Sequence, residues 1–426
     1  MFVKKLLRKI LFNFFRLIIR ISISRLNKKK YKNYIVSCPL VNTYGDPVHH
    51  VDHIRLLNFE SKKRHLIICP DISPSNVYLR FFLPIKLYRF YSEKVFLYCG
   101  YILNCVRKIT DLYHFYNFFL LSQINKKIAN FNYYKAYYKQ NDKIYLNNKK
   151  YFSKEFVSAY CDIRSYNNKF ENLKKRNILK KKHGHLILND CPGFDKNDFN
   201  YLKNQLGIKR DYVCLHIRNT YNDNDPRSIK DLDSYFPIID YLKNKYDIVI
   251  LGTNSDNNFT DQFLSSGVLN YKFSKYQSVK NDILLIGNCK IYLGNFSGPQ
   301  AIAYTFGKPM ILFDGWPIYS IYYNYSNLRI YPKIIYKNNR LVKLNEILNS
   351  ENYFREHLKN SWRLETSSPE DKLKELKLFL KDFDSKRKFP ILTSKHEIFK
   401  NLLNPMHLGP YYSYNVFSKT YLDKVI

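Results

Sequence analysis

Residues 211–218, DYVCLHIR, and residues 290–314, KIYLGNFSGPQAIAYTFGKPMILFD, decide how this chain is read. Each begins as a short apolar run and ends in polar or small residues where the chain must turn. Such runs belong to strands covered on both faces, the pattern of parallel sheets. Working outward, residues 230–245 predict a helix with Leu232, Tyr235, Phe236, Ile239 and Leu242 on its apolar side. Asp247–Leu251 predicts a strand, residues 281–287 a short helix, and residues 290–293 a strand. Pro299–Thr305 then predicts a helix and residues 309–313 another strand. Ser368, Pro369 and Glu370 open a late helix as N-cap, first position and first-turn acid. Strands alternating with helices at this spacing argue an α/β, Rossmann-like half.

In an open parallel sheet, ligands bind outside the carboxyl ends of the strands. Side chains at i and i+2 share a strand face, so His216 and Arg218 point the same way. Asn295, Ser297 and Gly298 end the second strand and lead into a helix whose free N–H groups favour anions. An imidazole, a cation and such a turn at one sheet edge make a candidate diphosphate clamp, with Arg227 in the following loop as a second cation. Two plainer readings stand beside it: an Arg218 ion pair with Asp223 or Asp225, and an ordinary strand–helix turn at residues 294–298. No GxGxxG string or Walker A motif is present, so nicotinamide and P-loop chemistry lack their fingerprint.

HIR on a strand, Arg227 and Ser228 in the next loop, and GNFSGPQAIAYTFGKPMIL resemble a family of bacterial glycosyltransferases of surface-polysaccharide synthesis. That family is GT-B-like in its C-terminal half. The His-x-Arg strand is also similar to that of fucosyltransferase-type enzymes, where the pair holds the nucleotide diphosphate. The resemblance covers about residues 212–380. It implies two Rossmann-like domains facing a central cleft, a nucleotide-sugar donor, and a glycan or lipid-linked acceptor. It assigns His216, Arg218, Arg227, Asn295, Ser297 and Gly298 to the donor. The sequence shows no metal-ligand spacing, so no metal and no cofactor beyond the donor is expected. An acceptor hydroxyl also needs a base. Asp46 and His49 are the candidates, in a cluster with His50, Asp52 and His53 after a first-domain strand.

The chain's 426 residues suit two domains, and 45% hydrophobic content supports packed cores. The expected division is a basic helix at 1–30, an acceptor-side α/β domain at 31–205, a donor-binding domain at 206–390, and a tail at 391–426 that folds back. In the first domain, residues 34–39 and Arg64–Pro70 predict strands, and residues 78–145 a mainly helical, aromatic stretch. Residues 185–188 predict its last strand.

The net charge is +35. Its steepest part is residues 1–30, which carry ten basic side chains and no acid. Lys4, Lys5, Arg8, Lys9, Arg16 and Arg20 take one side of a helical wheel, with Leu6, Leu7, Ile10, Leu11 and Phe14 opposite. That pattern predicts an amphipathic helix lying on an anionic membrane surface, peripheral on the cytoplasmic inner face. No apolar run reaches the ~20 residues that span a bilayer. A nucleic-acid-binding protein or a non-catalytic membrane scaffold are the alternatives. No zinc finger, RRM or helix–turn–helix signature supports the first, so no nucleic-acid partner is expected. The eight cysteines form no CxxC pair and read as buried free thiols.

Overall fold

The computed structural model describes residues 34–37, 48, 51–52, 55–56, 64–70, 75–82, 88–91, 179–180, 182–219, 226–252, 261–316, 327–349, 362–385, 393–403 and 417–426. The chain divides into two compact units: Met1–Gly184 with Cys191–Gly193, and His185–Asp190 with Phe194–Ile426.

In the first unit, β1 (Tyr34–Ser37), β2 (Arg64–Pro70) and β3 (Tyr88–Tyr91) form a parallel sheet in the order β1-β2-β3. Helix α1 (Ser75–Phe82) connects β2 to β3 and buries Tyr78, Phe81 and Phe82. β3 lies in a stretch expected to be helical. Its aromatic composition, YRFY, suits a strand, and pairing with β2 decides the outcome over local propensity. Asp52 is buried and held by Arg55 at 3.0 Å and Lys180 at 2.7 Å. Residues 185–188, expected as the last strand of the first domain, belong to the second unit and form no strand: the Leu186 N–H bonds to the Thr305 carbonyl, and Leu188 begins a 3-10 turn, Leu188–Asp190.

The second unit is built on a five-stranded parallel sheet in the order β5-β4-β6-β7-β8. Its strands are β4 (Tyr212–His216), β5 (Asp247–Leu251), β6 (Ile291–Gly294), β7 (Met310–Gly315) and β8 (Leu328–Pro332). Every residue of β4, β6, β7 and β8 is buried, as strands covered on both faces require. Each fully buried aliphatic side chain here contributes ~1.5–3 kcal/mol.

Crossovers are α2 (Lys196–Gln205) before β4, α3 (Phe236–Leu242) and α4 (Asp261–Leu264) around β5, α5 (Val279–Asn288) before β6, and α6 (Pro299–Thr305) before β7. α3 is shorter than the pattern at 230–245 predicts. A 3-10 turn at Asp233–Tyr235 precedes it, and Pro237, which has no N–H, sits in its first turn.

A small antiparallel sheet of β9 (Ile334–Lys337), β10 (Arg340–Leu341) and β11 (Trp362–Glu365) follows. Between its strands lies α7 (Leu344–Asn349). α8 (Pro369–Asp384) begins at Ser368, whose hydroxyl accepts from the Asp371 N–H. It is tied to β8 by Arg329, 3.6 Å from Glu375 and 3.1 Å from Asp382. After α9 (Ser394–Leu403), Phe417 bridges Ile330 on the open side of β8, and α10 (Lys419–Val425) completes the described chain. No helix among the described residues is long and apolar enough to cross a membrane.

Candidate functional site

The strand order puts the change of winding direction between β4 and β6. From β4 the chain moves to β5 on one side, then returns past β4 to build β6, β7 and β8 on the other. The loops leaving β4 and β6 therefore diverge and leave a crevice between their carboxyl ends, where open α/β sheets bind ligands. The strand ends that the sequence singles out, at residues 216–218 and 294–298, flank this position. His216 is in register with Gly294. A Cβ at Gly294 would lie 2.6 Å from the His216 carbonyl oxygen, so only glycine permits this approach.

Asn295 stitches the crevice together. Fully buried, it accepts from the Arg218 N–H at 2.9 Å and donates through Nδ2 to the Arg227 carbonyl at 2.9 Å. Ile229 N–H closes the base of the intervening loop on the Arg218 carbonyl at 2.8 Å. Ser297 Oγ lies 2.9 Å from His216 Nδ1. Four of the six expected donor-site residues, His216, Arg218, Asn295 and Ser297, are thus joined at one sheet edge. The Arg227 backbone belongs to the same network, and Gly298 is the N-cap of α6. Residues 220–225, including Asp223 and Asp225, and the candidate bases Asp46 and His49 lie outside the described residues.

The helix start offers an anion less than the sequence implies. α6 has seven residues, Pro299 supplies no N–H, and the Ser297 N–H already reaches Gln300 Oε1 at 3.4 Å. Side-chain cations carry the electrostatics instead. Burial pushes the His216 imidazole down to about 3, and the charges of Arg218 and then Lys272 push it the same way. His216 is consequently neutral near pH 7, a hydrogen-bonding partner for Ser297 rather than a charged one.

Two lysines at this edge were not singled out by the sequence. Lys272 is buried in a 3-10 turn, Tyr271–Phe273, which follows Leu269 where it bridges Val249 of β5. Lys333, also buried, donates to the Ser228 carbonyl at 2.9 Å. Neither stands in a string that local patterning would select.

The carboxyl end of β7 carries a third feature. Asp314 adopts φ 55°, uncommon for a residue with a Cβ. Its Oδ1 accepts from the Ser367 N–H at 2.6 Å and hydroxyl at 2.8 Å. Lys372 of α8 lies 3.1 Å from its other oxygen, both side chains fully buried. The Lys372 ammonium also stands over the Tyr235 ring, 5.1 Å from its centre. Burial and the neighbouring Asp314 charge push the Tyr235 phenol up. This network ties the end of β7 to the start of α8 and to the 3-10 turn at Asp233–Tyr235.

No family model and no curated protein matches the chain. Among solved structures, E. coli ADP-heptose LPS heptosyltransferase II is similar over 66% of this chain and 84% of that one, with 12% identity and a TM-score of 0.35. At that level of likeness, function has to be argued from the residues of the site.

Proposed function

We propose that the chain is a glycosyltransferase of surface-polysaccharide synthesis that takes its sugar from a nucleotide-sugar donor. The observation that carries this reading is the meeting of HIR and NFSG at the switch point, with His216 and Ser297 2.9 Å apart and Arg218 beside them. The charges acting most strongly on His216 are cationic, as an anion site requires. In this reading Arg218 grips the donor diphosphate, Lys272 adds positive field, and Ser297 donates to a phosphate oxygen. Arg227 and Gly298 line the same donor site.

As the bond from the anomeric carbon to the phosphate oxygen breaks, negative charge grows on the departing diphosphate. Cations fixed in place beforehand stabilise it, whether or not a metal assists. The new bond forms from the acceptor hydroxyl oxygen, and its proton passes to a base, for which Asp46 and His49 remain our candidates. The acceptor in this reading is a growing glycan or a lipid-linked acceptor.

The decisive experiment incubates the protein with a panel of nucleotide sugars and follows release of the nucleoside diphosphate. Release from one donor, lost in Arg218→Ala, supports the reading. Absence of nucleoside-diphosphate binding by calorimetry in the folded protein overturns it, and nucleic-acid binding with a steep salt dependence would replace it. The basic segment at 1–30 gives the same proposal a location, peripheral on the inner membrane face. Removing those residues should release the protein from anionic vesicles without lowering donor affinity, as measured by co-sedimentation and calorimetry.

A further inference from the structure

A second cavity lies in the same unit at the opposite edge of the main sheet. It opens where strands begin, at Tyr212 of β4 and at the residues just before β6 and β7. Its volume is about 400 Å³, within the range of small-molecule sites. β4 is five residues long, so roughly 15 Å of strand separates this cavity from the crevice at His216.

Among the described residues, its walls include four cations, Lys203, Arg210, Lys290 and Lys308, and one carboxylate, Asp211. Arg210 is held by Asp247 at 3.1 Å and by the carbonyls of Lys243, Asn244 and Tyr246. Lys290 stands 3.4 Å from Asp211. Lys203, in the last turn of α2, and Lys308, in the turn before β7, are half-buried and bring positive charge from two separate elements. Lys308 lies close enough to the buried thiols of Cys214 and Cys289 to act on both electrostatically. Phe199 of α2 and Phe383 of α8, also half-buried, supply an aromatic wall.

We infer that this amino-edge cavity is a second binding site, one for a small soluble phosphate ester with a ring or apolar group beside the phosphate. The charge excess selects an anion, the volume suits a small molecule, and the two phenylalanines favour a ring. The inference stands apart from the donor crevice and does not depend on it.

Calorimetric titration of the full chain with phenyl phosphate tests it. Saturable binding is expected, tighter than that of inorganic phosphate and weakened by salt. The double variant Lys203→Gln, Lys308→Gln should lose about tenfold or more in affinity, in line with the loss of charged contacts. Phe383→Ala should remove the preference for phenyl phosphate over phosphate, and Arg218→Ala should change neither. If the double variant melts early, Lys203→Gln alone is read in its place, with a severalfold loss expected.

Binding unaffected by these lysine substitutions, binding abolished by Arg218→Ala, or no binding of phenyl phosphate to a folded chain would each overturn the inference. So would lysine-dependent binding to phosphatidic acid vesicles without any response to phenyl phosphate, which would assign the cavity to a lipid headgroup.

Discussion

The two edges of the main sheet handle charge in opposite ways. At the carboxyl edge several charged groups are buried against protein partners: Lys372 pairs with Asp314, Lys333 donates to the Ser228 carbonyl, and Lys272 acts on His216 through its charge, while Arg218 and Arg227 are half-buried. At the amino edge the cations are exposed or half-buried, and pairs such as Lys290–Asp211 stand largely in water. Desolvated charges interact strongly and are costly to separate; solvated ones are screened and contribute little singly. The carboxyl edge is therefore suited to gripping one anion in a fixed pose, and the amino edge to drawing in a ligand whose hold depends on salt.

The sharpest way to break this comparison is to remove one partner from a pair at each edge. Lys372→Met leaves Asp314 buried without its cation, and the expected loss in denaturant unfolding is about 3–5 kcal/mol. Lys290→Met removes a pair whose side chains are 47% and 67% exposed, and the expected loss is about 0–1 kcal/mol. Equal losses would show that burial does not distinguish the two edges.

The next effect is on binding. Arg218→Ala should weaken nucleoside-diphosphate affinity about ten- to a hundredfold, since a hydrogen bond to a charged group contributes roughly 1.5–3 kcal/mol. Arg218→Lys should recover part of it, because an ammonium cannot reproduce the planar fork. Normal affinity in a variant with a lowered melting temperature would make Arg218 a structural ion pair.

A smaller effect is expected from pH. The folded-state value for His216 lies below its unfolded one, so the unfolded chain takes up a proton that the folded chain refuses. This contribution leaves stability level above about pH 6.5 and lowers it progressively down to about pH 3. His216→Gln should flatten that part of the profile, measured by denaturant unfolding at a series of pH values. A bound diphosphate should flatten it too, by favouring the imidazolium. An unchanged profile in His216→Gln would mean that the acid sensitivity has another origin.

How much of this was legible differs from element to element. β2 coincides with the strand expected at Arg64–Pro70, and the α8 N-cap at Ser368 follows from three adjacent residues. Both are local signals, an apolar run and a capping string, and neighbouring residues suffice to read them. β3 is not legible locally, because an aromatic-rich run fits helix or strand until a partner strand is present. Within the candidate site, His216, Arg218, Asn295 and Ser297 were visible because each stands at the polar end of an apolar strand. Lys272, Lys333 and the Asp314–Lys372 pair were not, since each gains its role from a residue distant in sequence.

The sequence by itself determined the alternation of strands and helices in the second unit, the polar strand ends, and the basic amphipathic pattern of residues 1–30. Those follow from periodicity and residue type within short windows. Only the tertiary structure decided the order β5-β4-β6-β7-β8, and with it which strand ends flank one another. It also decided that Asp314 would be neutralised by Lys372 and that Asn295 would join two loops. Strand order is set by which buried faces and backbone ladders are satisfied together across the whole sheet, a condition that no local window of residues contains.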